Sequence, residues 1–346
     1  MFQPSSILRH WASFIGRQPL SSIWRQPLGA LALVLACHAP QKPRPAVVEQ
    51  FPQEPPQDPF AFAPVPPIWL RDAGFSAPRA ALYDSAADVY LVSNVGGGLA
   101  DADNDGFISR VSPDGTLAEL RWIDAARSGA PLNAPKGMAL IGDTLFVTDI
   151  DTLRAYDRTS GKSLGDVAFP GATYLNDIAP GAGGMLFVSD SGLGKRSDSS
   201  ELGKSGSDAV YVVDAQRAVK VLAKGNDLGE PTALCVTKGR LLVASRGGDV
   251  FALDRQGQRV MVGRAPGGDV NGMVLTPGGR LLVTSAAASS VFITPAGLGQ
   301  SLVLETLLSD IEAPGDLGYD AKRRQIIVPL TRSNALYIQE LPGGIN

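Results

Sequence analysis

Three stretches in close succession, Pro135-Lys-Gly-Met-Ala-Leu140, Thr144-Leu-Phe-Val-Thr-Asp149 and Leu153-Arg-Ala-Tyr-Asp157, decide how the whole chain reads. Each is a short aliphatic or β-branched run bounded by Gly, Asp or Pro, the pattern of strands joined by tight turns. A weaker fourth strand closes the unit, and the unit recurs. Its first strand aligns without gaps as Pro78-Arg-Ala-Ala-Leu82, Pro135-Lys-Gly-Met-Ala139, Leu175-Asn-Asp-Ile-Ala179, Pro231-Thr-Ala-Leu-Cys235, Val270-Asn-Gly-Met-Val274 and Pro314-Gly-Asp-Leu-Gly318. Its second strand recurs as Val89-Tyr-Leu-Val-Ser93, Leu145-Phe-Val-Thr148, Leu186-Phe-Val-Ser189, Leu241-Leu-Val-Ala244, Leu281-Leu-Val-Thr284 and Ile326-Ile-Val-Pro329. Six copies of a four-stranded antiparallel unit predict an all-β fold, a six-bladed β-propeller over residues 68–342 with about 46 residues per blade.

The strand count predicts how the ring closes. The last copy supplies only three strands, Asp316–Asp320, Ile326–Leu330 and Ala335–Glu340. An orphan strand, Ile68-Trp-Leu-Arg71, precedes the first copy and is expected to complete the sixth blade as its outer edge, joining the chain ends and covering an open edge. With Arg79, Lys136, Asn176, Thr232, Asn271 and Gly315 taken as equivalent, the spacings are 57, 40, 56, 39 and 44 residues. The two long copies carry their excess at 93–107 and 191–208, between second and third strands. Loops there lie on the same face as the start of each first strand, so both insertions are expected to overhang the channel mouth. The second, Gly- and Ser-rich, is read as a mobile lid.

Composition excludes several chemistries. The chain of 346 residues has 31 Lys plus Arg, 34 Asp plus Glu and a net charge of −3, so there is no basic surplus for nucleic acid. Its two His, His10 and His38, precede the repeats, which leaves the repeat region without a His triad, His-ligated zinc or His base. Two Cys cannot make a disulfide framework, and Cys235, on an apolar inner strand, is expected to be an inert core thiol.

Residues 1–36 read as a signal peptide: Arg9, Arg17 and Arg25 precede the apolar run Leu28–Ala36, which is too short to cross a bilayer. Leu33-Val-Leu-Ala36-Cys37 resembles the bacterial lipobox, and that resemblance implies lipidation of Cys37 and a bacterial cell-envelope location, periplasmic or surface-facing. Residues 37–67 then form a tether. Ten of the thirty residues 38–67 are proline, an extended, semi-stiff composition. Residues 343–346 are a tail, and the chain is expected to be a monomer.

Gly106-Phe-Ile-Ser-Arg-Val-Ser-Pro-Asp-Gly115, Asn133-Ala-Pro-Lys-Gly-Met-Ala139, Leu175-Asn-Asp177 and Leu186-Phe-Val-Ser-Asp190 make residues 68–342 resemble the regucalcin/gluconolactonase-like superfamily, with NHL-type repeats as close kin. The resemblance implies one divalent cation at the channel mouth, held by a Glu of the first blade, an Asn of the fourth and an Asp of the fifth, with that Asp as base in lactone hydrolysis. An Asn-Asp pair of the third blade helps hold ligand. Here those metal positions are Arg79, Thr232 and Asn271, and Asn176-Asp177 alone is kept. A one-residue slip in the fifth blade would bring Asp269 nearer, but Arg79 would remain. A guanidinium where the cation's charge would sit argues against the usual site.

The candidate ligand-binding set is therefore Arg79, Lys136, Asn176, Asp177, Thr232 and Asn271, with Asp149 and Asp190 from a second ring at the ends of the second strands, and Asp177 the one candidate for catalysis. These residues either line a pocket for a small polar or anionic ligand, or tie neighbouring blades together by hydrogen bonds. Asp101-Ala-Asp-Asn-Asp-Gly106 matches a calcium loop, with Asp101, Asp103 and Asp105 as ligands, although Ser112 stands where an EF-hand needs Glu. No cofactor is otherwise implied. Two functions stay open: an envelope-anchored module binding a small polar or anionic molecule or an envelope protein, and a lactonase-like hydrolase with an altered metal site.

Overall fold

A computed structural model describes residues 65–196, 201–299 and 301–343. The signal peptide, Cys37 and almost all of the tether lie outside them. The repeats form six four-stranded antiparallel sheets. Blade one is Pro78–Asp84, Val89–Asn94, Phe107–Val111 and Leu117–Asp124. Blade two is Pro135–Ile141, Thr144–Asp149, Thr152–Asp157 and Ser163–Ala168. Blade three is Leu175–Pro180, Leu186–Asp190, Ala209–Val213 and Val219–Lys224. Blade four is Pro231–Thr237, Arg240–Ser245, Asp249–Leu253 and Arg259–Arg264. Blade five is Val270–Leu275, Leu281–Ser285, Ser290–Ile293 and Glu305–Leu308. Blade six is Gly318–Asp320, Gln325–Leu330 and Ala335–Glu340, completed at its outer edge by Ile68–Leu70. That closing strand pairs Ile68 with Ile338 and Leu70 with Leu336, and the Trp69 ring meets Tyr337 edge-on at 4.7 Å. The expected closure is the observed one.

Each sheet is covered on both faces by its neighbours, so the core is divided by seam. Six apolar clusters occupy the six seams between adjacent blades. Between blades one and two, for example, Leu91 and Ile108 pack with Leu145, Val147 and Tyr156, all fully buried. This explains why the second strands read as unbroken apolar runs instead of alternating. A small hydroxyl ends several of those runs, and its use repeats. Ser93 Oγ donates to the Lys136 carbonyl at 2.7 Å, Thr148 Oγ1 to that of Asn176 at 2.9 Å, and Thr284 Oγ1 to that of Gly315 at 2.8 Å. Each ties one blade to the first strand of the next, at about 1 kcal/mol per bond.

The first strands share one further feature. In blades one to five the pairing with the second strand gains one residue just after the strand begins, between Pro78 and Ala80, Pro135 and Met138, Leu175 and Ile178, Pro231 and Ala233, and Val270 and Gly272. A bulge frees a residue from the ladder and re-aims its side chain. The freed positions include Arg79, Lys136, Asn176, Thr232 and Asn271, the residues that the sequence alignment makes equivalent.

Candidate functional site

The bulged ends surround a cavity of about 770 Å³ at the channel mouth. Arg79, Asn176, Thr232 and Asn271 line it, one each from blades one, three, four and five. Arg79 Nη2 donates to Asn271 Oδ1 at 3.0 Å, and Asn271 Nδ2 donates to the Pro314 carbonyl at 3.0 Å. Blade six lies between blades one and five and offers Gly315 at the equivalent position. A Cβ there would lie 2.3 Å from the Arg79 carbonyl oxygen, so a glycine lets blade six close against blade one. With no side chain at that position, Arg79 reaches across to Asn271. Arg79 is half-buried, and among the described residues it makes no ion pair. One of its five N–H donors goes to a neutral amide.

Asn176 is also held, its Nδ2 donating to Ser191 Oγ at 2.9 Å, and Ser191 in turn donates to the Pro231 carbonyl of blade four at 2.7 Å. Thr232 donates to the Ala244 carbonyl at 3.2 Å. The two insertions overhang as expected. Leu99 and Asp101 of the first, with Leu193 and Leu202 of the second, form part of the wall, and Lys195 Nζ meets Asp101 Oδ1 at 2.6 Å between them. The second insertion carries a short hairpin, Leu193–Lys195 with Leu202–Lys204.

Four residues of the candidate set do not line this cavity. Lys136 is fully buried, its Nζ donating to the Ala134 carbonyl at 2.9 Å and lying 4.2 Å from the centre of the Tyr174 ring. Burial pulls its pKa down to about 7, against the opposing charge of Asp149 and with help from Arg79. Asp149 has no exposure. Its carboxylate accepts from the backbone N–H of Asn133 and Ala134 and pairs with Arg154 at 2.9 Å. Asp190, equally buried, accepts from the backbone of Thr173, Tyr174 and Gly192. These two acids cap loops, which explains why Asp recurs at that strand end.

Asp177 lies below the mouth. Its Oδ2 accepts from Leu234 N of blade four at 2.6 Å and its Oδ1 from Ile178 N at 2.6 Å. Burial pushes its pKa up to about 7, against those two amides and Arg79. Asp316 of blade six is raised as well, by burial and then by the charge of Asp177. Two carboxyls in one low-dielectric channel resist ionising together, so a proton is retained there near neutrality.

Tyr174, Arg246, Asp269 and Arg332 also line the cavity. Tyr174, Arg246 and Arg332 were not expected, and only Arg246, directly after the second-strand position Ser245, sits where alignment could have found it. Both Asp269 and Asn271 face the mouth, but Asp269 is turned toward Arg246 at 3.6 Å. Cys235 is buried, and its thiol is pushed up to about 12 by burial, then by Asp177 and Asp316.

The metal expectations are not met by the residues present. Among the described residues no group of three His, Cys, Asp or Glu side chains is placed to hold an ion. In the Asp101–Asp105 loop, Asp101 is drawn to Lys195, while Asp103 Oδ1 accepts from Asp105 N at 3.1 Å in a local turn. At the mouth, Arg79, Thr232 and Asn271 offer a cation, a hydroxyl and an amide, a donor set that does not fit a hard dication.

No protein-family model matches the chain, and no curated protein matches it significantly. Solved structures do resemble it. One is a candidate gluconolactonase from a structural-genomics programme, at TM-score 0.58 and 19% identity, covering 80% of this chain and 93% of that one. Another is a gluconolactonase of Xanthomonas campestris, at TM-score 0.59 and 17% identity over 78% of this chain and 87% of that one. A streptogramin B lyase is similar at TM-score 0.53 and 9% identity, over 80% of this chain and 98% of that one. The chain is a six-bladed β-propeller whose fold is similar to that of these proteins. Identities this low show the fold alone.

Proposed function

We propose that the protein is a binding module whose channel mouth takes a small polar anion, such as a sugar acid. The observation that supports this reading is Arg79: a half-buried guanidinium at the cavity, hydrogen-bonded to a neutral amide and, among the described residues, in no ion pair. Its remaining donors can meet a carboxylate in parallel, while Asn176 and Thr232 offer hydrogen bonds to hydroxyls. The fold similarity to gluconolactonases supports a polyhydroxy ligand in the same place. Titration of gluconate and of neutral sorbitol by calorimetry tests the reading. Gluconate should bind the more tightly, and Arg79→Ala should weaken it about tenfold, the worth of one charge-assisted contact. Equal binding by the variant would move the site elsewhere.

The alternative is a lactonase-like hydrolase, kept open by the buried acid pair Asp177 and Asp316 below the mouth. Stoichiometric divalent metal in the purified chain together with lactone turnover would favour it over a binding role. We also propose that Cys37 is lipidated and holds the protein at the bacterial envelope through its Pro-rich tether. Cys37→Ala should then move the protein from the membrane fraction to the soluble one.

A further inference from the structure

The seams between blades are not filled alike at the end opposite the mouth. In the seam between blades one and two, Asp84 ends the first strand of blade one and is fully buried. Arg158, in the turn between third and fourth strands of blade two, clasps it through Nε at 2.9 Å and through Nη2. Arg110, on the third strand of blade one, stacks 3.6 Å over Trp122 and donates to the Arg158 carbonyl at 3.0 Å. The seam between blades three and four has the same geometry and different residues. Gly181 stands where Asp84 does, Val212 where Arg110 does, and Arg255, following the turn aspartate Asp254 as Arg158 follows Asp157, is in no ion pair among the described residues. A cavity of about 960 Å³ opens in their place, walled by Phe187, Val212, Leu222, Leu253 and Val260, with Arg240 and Arg255 at its edge.

We propose that this cleft binds an amphiphilic carboxylate, a medium-chain fatty acid or its like. Its walls are apolar, and Val260 is 60% exposed beside it, so an alkyl chain would remove that surface from water. Among the described residues neither Arg240 nor Arg255 is in an ion pair, and both are exposed at the cleft. The acid of this cleft, Asp254, is turned inward to its own loop, accepting from Gln256 N at 2.9 Å and Gln258 N at 2.8 Å. An apolar trough with guanidinium donors at its edge is complementary to a chain that ends in an anion. Its volume and concave form are those of small-molecule sites and not of a flat protein-docking face.

Titration of the full-length chain with decanoate, below its micelle concentration, tests this. One decanoate per chain is expected, with decanol bound at least about tenfold more weakly because it lacks the charge. Arg255→Gln, at an exposed turn that does not threaten folding, should weaken decanoate about tenfold. Gly181→Asp should abolish binding by supplying Arg255 with the acid found in the other seam. Backbone φ at Gly181 is −108°, open to any residue, and the nearest atom to an added Cβ is the end of the Phe187 ring at 2.9 Å. Equal binding of decanol and decanoate, unsaturable uptake, or full affinity in Arg255→Gln would overturn the proposal. So would co-sedimentation with phosphatidylglycerol vesicles without uptake of free decanoate, which would mark a membrane contact instead.

Discussion

The seam between blades one and two and the seam between blades three and four are built on the same backbone and differ at the turn end. The first is locked at the turn end by an ionised pair. The second is apolar and unlocked at the turn end, and is pinned at the channel end, where Asp177 accepts from Leu234 N and Ser191 donates to the Pro231 carbonyl. The first seam is pinned at the channel end as well, by Ser93 donating to the Lys136 carbonyl, so a repeat fold can close every seam at one end without closing every seam at both. That freedom lets one end of a seam be given over to a ligand while the other end carries the packing.

Removing the lock should have the largest effect. Asp84 is held below the usual carboxylate range: burial pushes it up, and Arg158 with the backbone N–H groups of Ala87 and Ala86 more than offset that. Asp84→Ala leaves Arg158 without its partner and two turn amides without an acceptor. A loss of about 3 kcal/mol is expected, read as a fall in Tm of roughly 6 °C by calorimetry. A change below about 1 °C would mean that the apolar packing of that seam, not the ion pair, holds it.

Acidity should then separate the two seams. Asp177 has a folded pKa raised to about 7, so its protonated form is the one that folding favours. Its contribution is full below the ordinary carboxylate pKa and is lost as pH rises through about 7. Asp84 has a lowered pKa, so its contribution is full above the ordinary value and is lost as pH falls below it. Stability should therefore increase from pH 7 down to about pH 5, by roughly 2–4 °C in Tm, and fall again below about pH 4. Asp177→Asn should flatten the upper limb and leave the acid limb in place. If the upper limb survives in that variant, Asp316 or another group carries it.

The same contrast shows what was legible in the chain. Strand count, blade number and closure by Ile68–Leu70 could be read because each blade repeats an apolar run with fixed spacing, and both insertions could be placed because they interrupt that spacing. Arg79 and Asn271 could be found by alignment. Lys136 aligned equally well, yet its side chain is buried against the Tyr174 ring with its amine on the Ala134 carbonyl, contacts from loops that the strand alignment does not cover. Asp149 and Asp190 looked like a ring around the channel, but each answers the backbone of the loop leading into its own blade. The triad of aspartates at 101–105 has calcium-loop spacing, and Lys195, from a different blade, draws one of them away. The open seam was not legible at all, since it consists of partners that are missing: Gly181 and Val212 are ordinary residues until set beside Asp84 and Arg110.

A buried amine in the seam between blades two and three gives a smaller test. Lys136 has a folded pKa lowered to about 7, so the folded state disfavours its charge. That cost is full below about pH 7 and is relieved as pH rises toward the ordinary lysine value. Lys136→Met keeps the length and drops the charge. At pH 7 it should raise stability by about 1 kcal/mol, or roughly 2 °C in Tm, and remove any gain in stability between pH 7 and 10. A fall in Tm would mean that the bond to the Ala134 carbonyl and the contact with Tyr174 outweigh the desolvation of the amine.

The smallest expected effect tests the comparison most directly. Arg158 and Arg255 occupy equivalent turns of blades two and four, yet among the described residues one is paired with a carboxylate and the other is not. Arg158→Ala should destabilise nearly as much as Asp84→Ala, because it strands a fully buried carboxylate with two amides. Arg255→Ala should leave Tm within about 1 °C of the parent, as for an exposed side chain without partners. Thermal scans of the two variants side by side, without ligand, are enough. Comparable losses would show that the two seams are held in the same way after all, with Arg255 acting through its stem against Phe187 and Leu253, and the cleft would then be part of the packing of the fold.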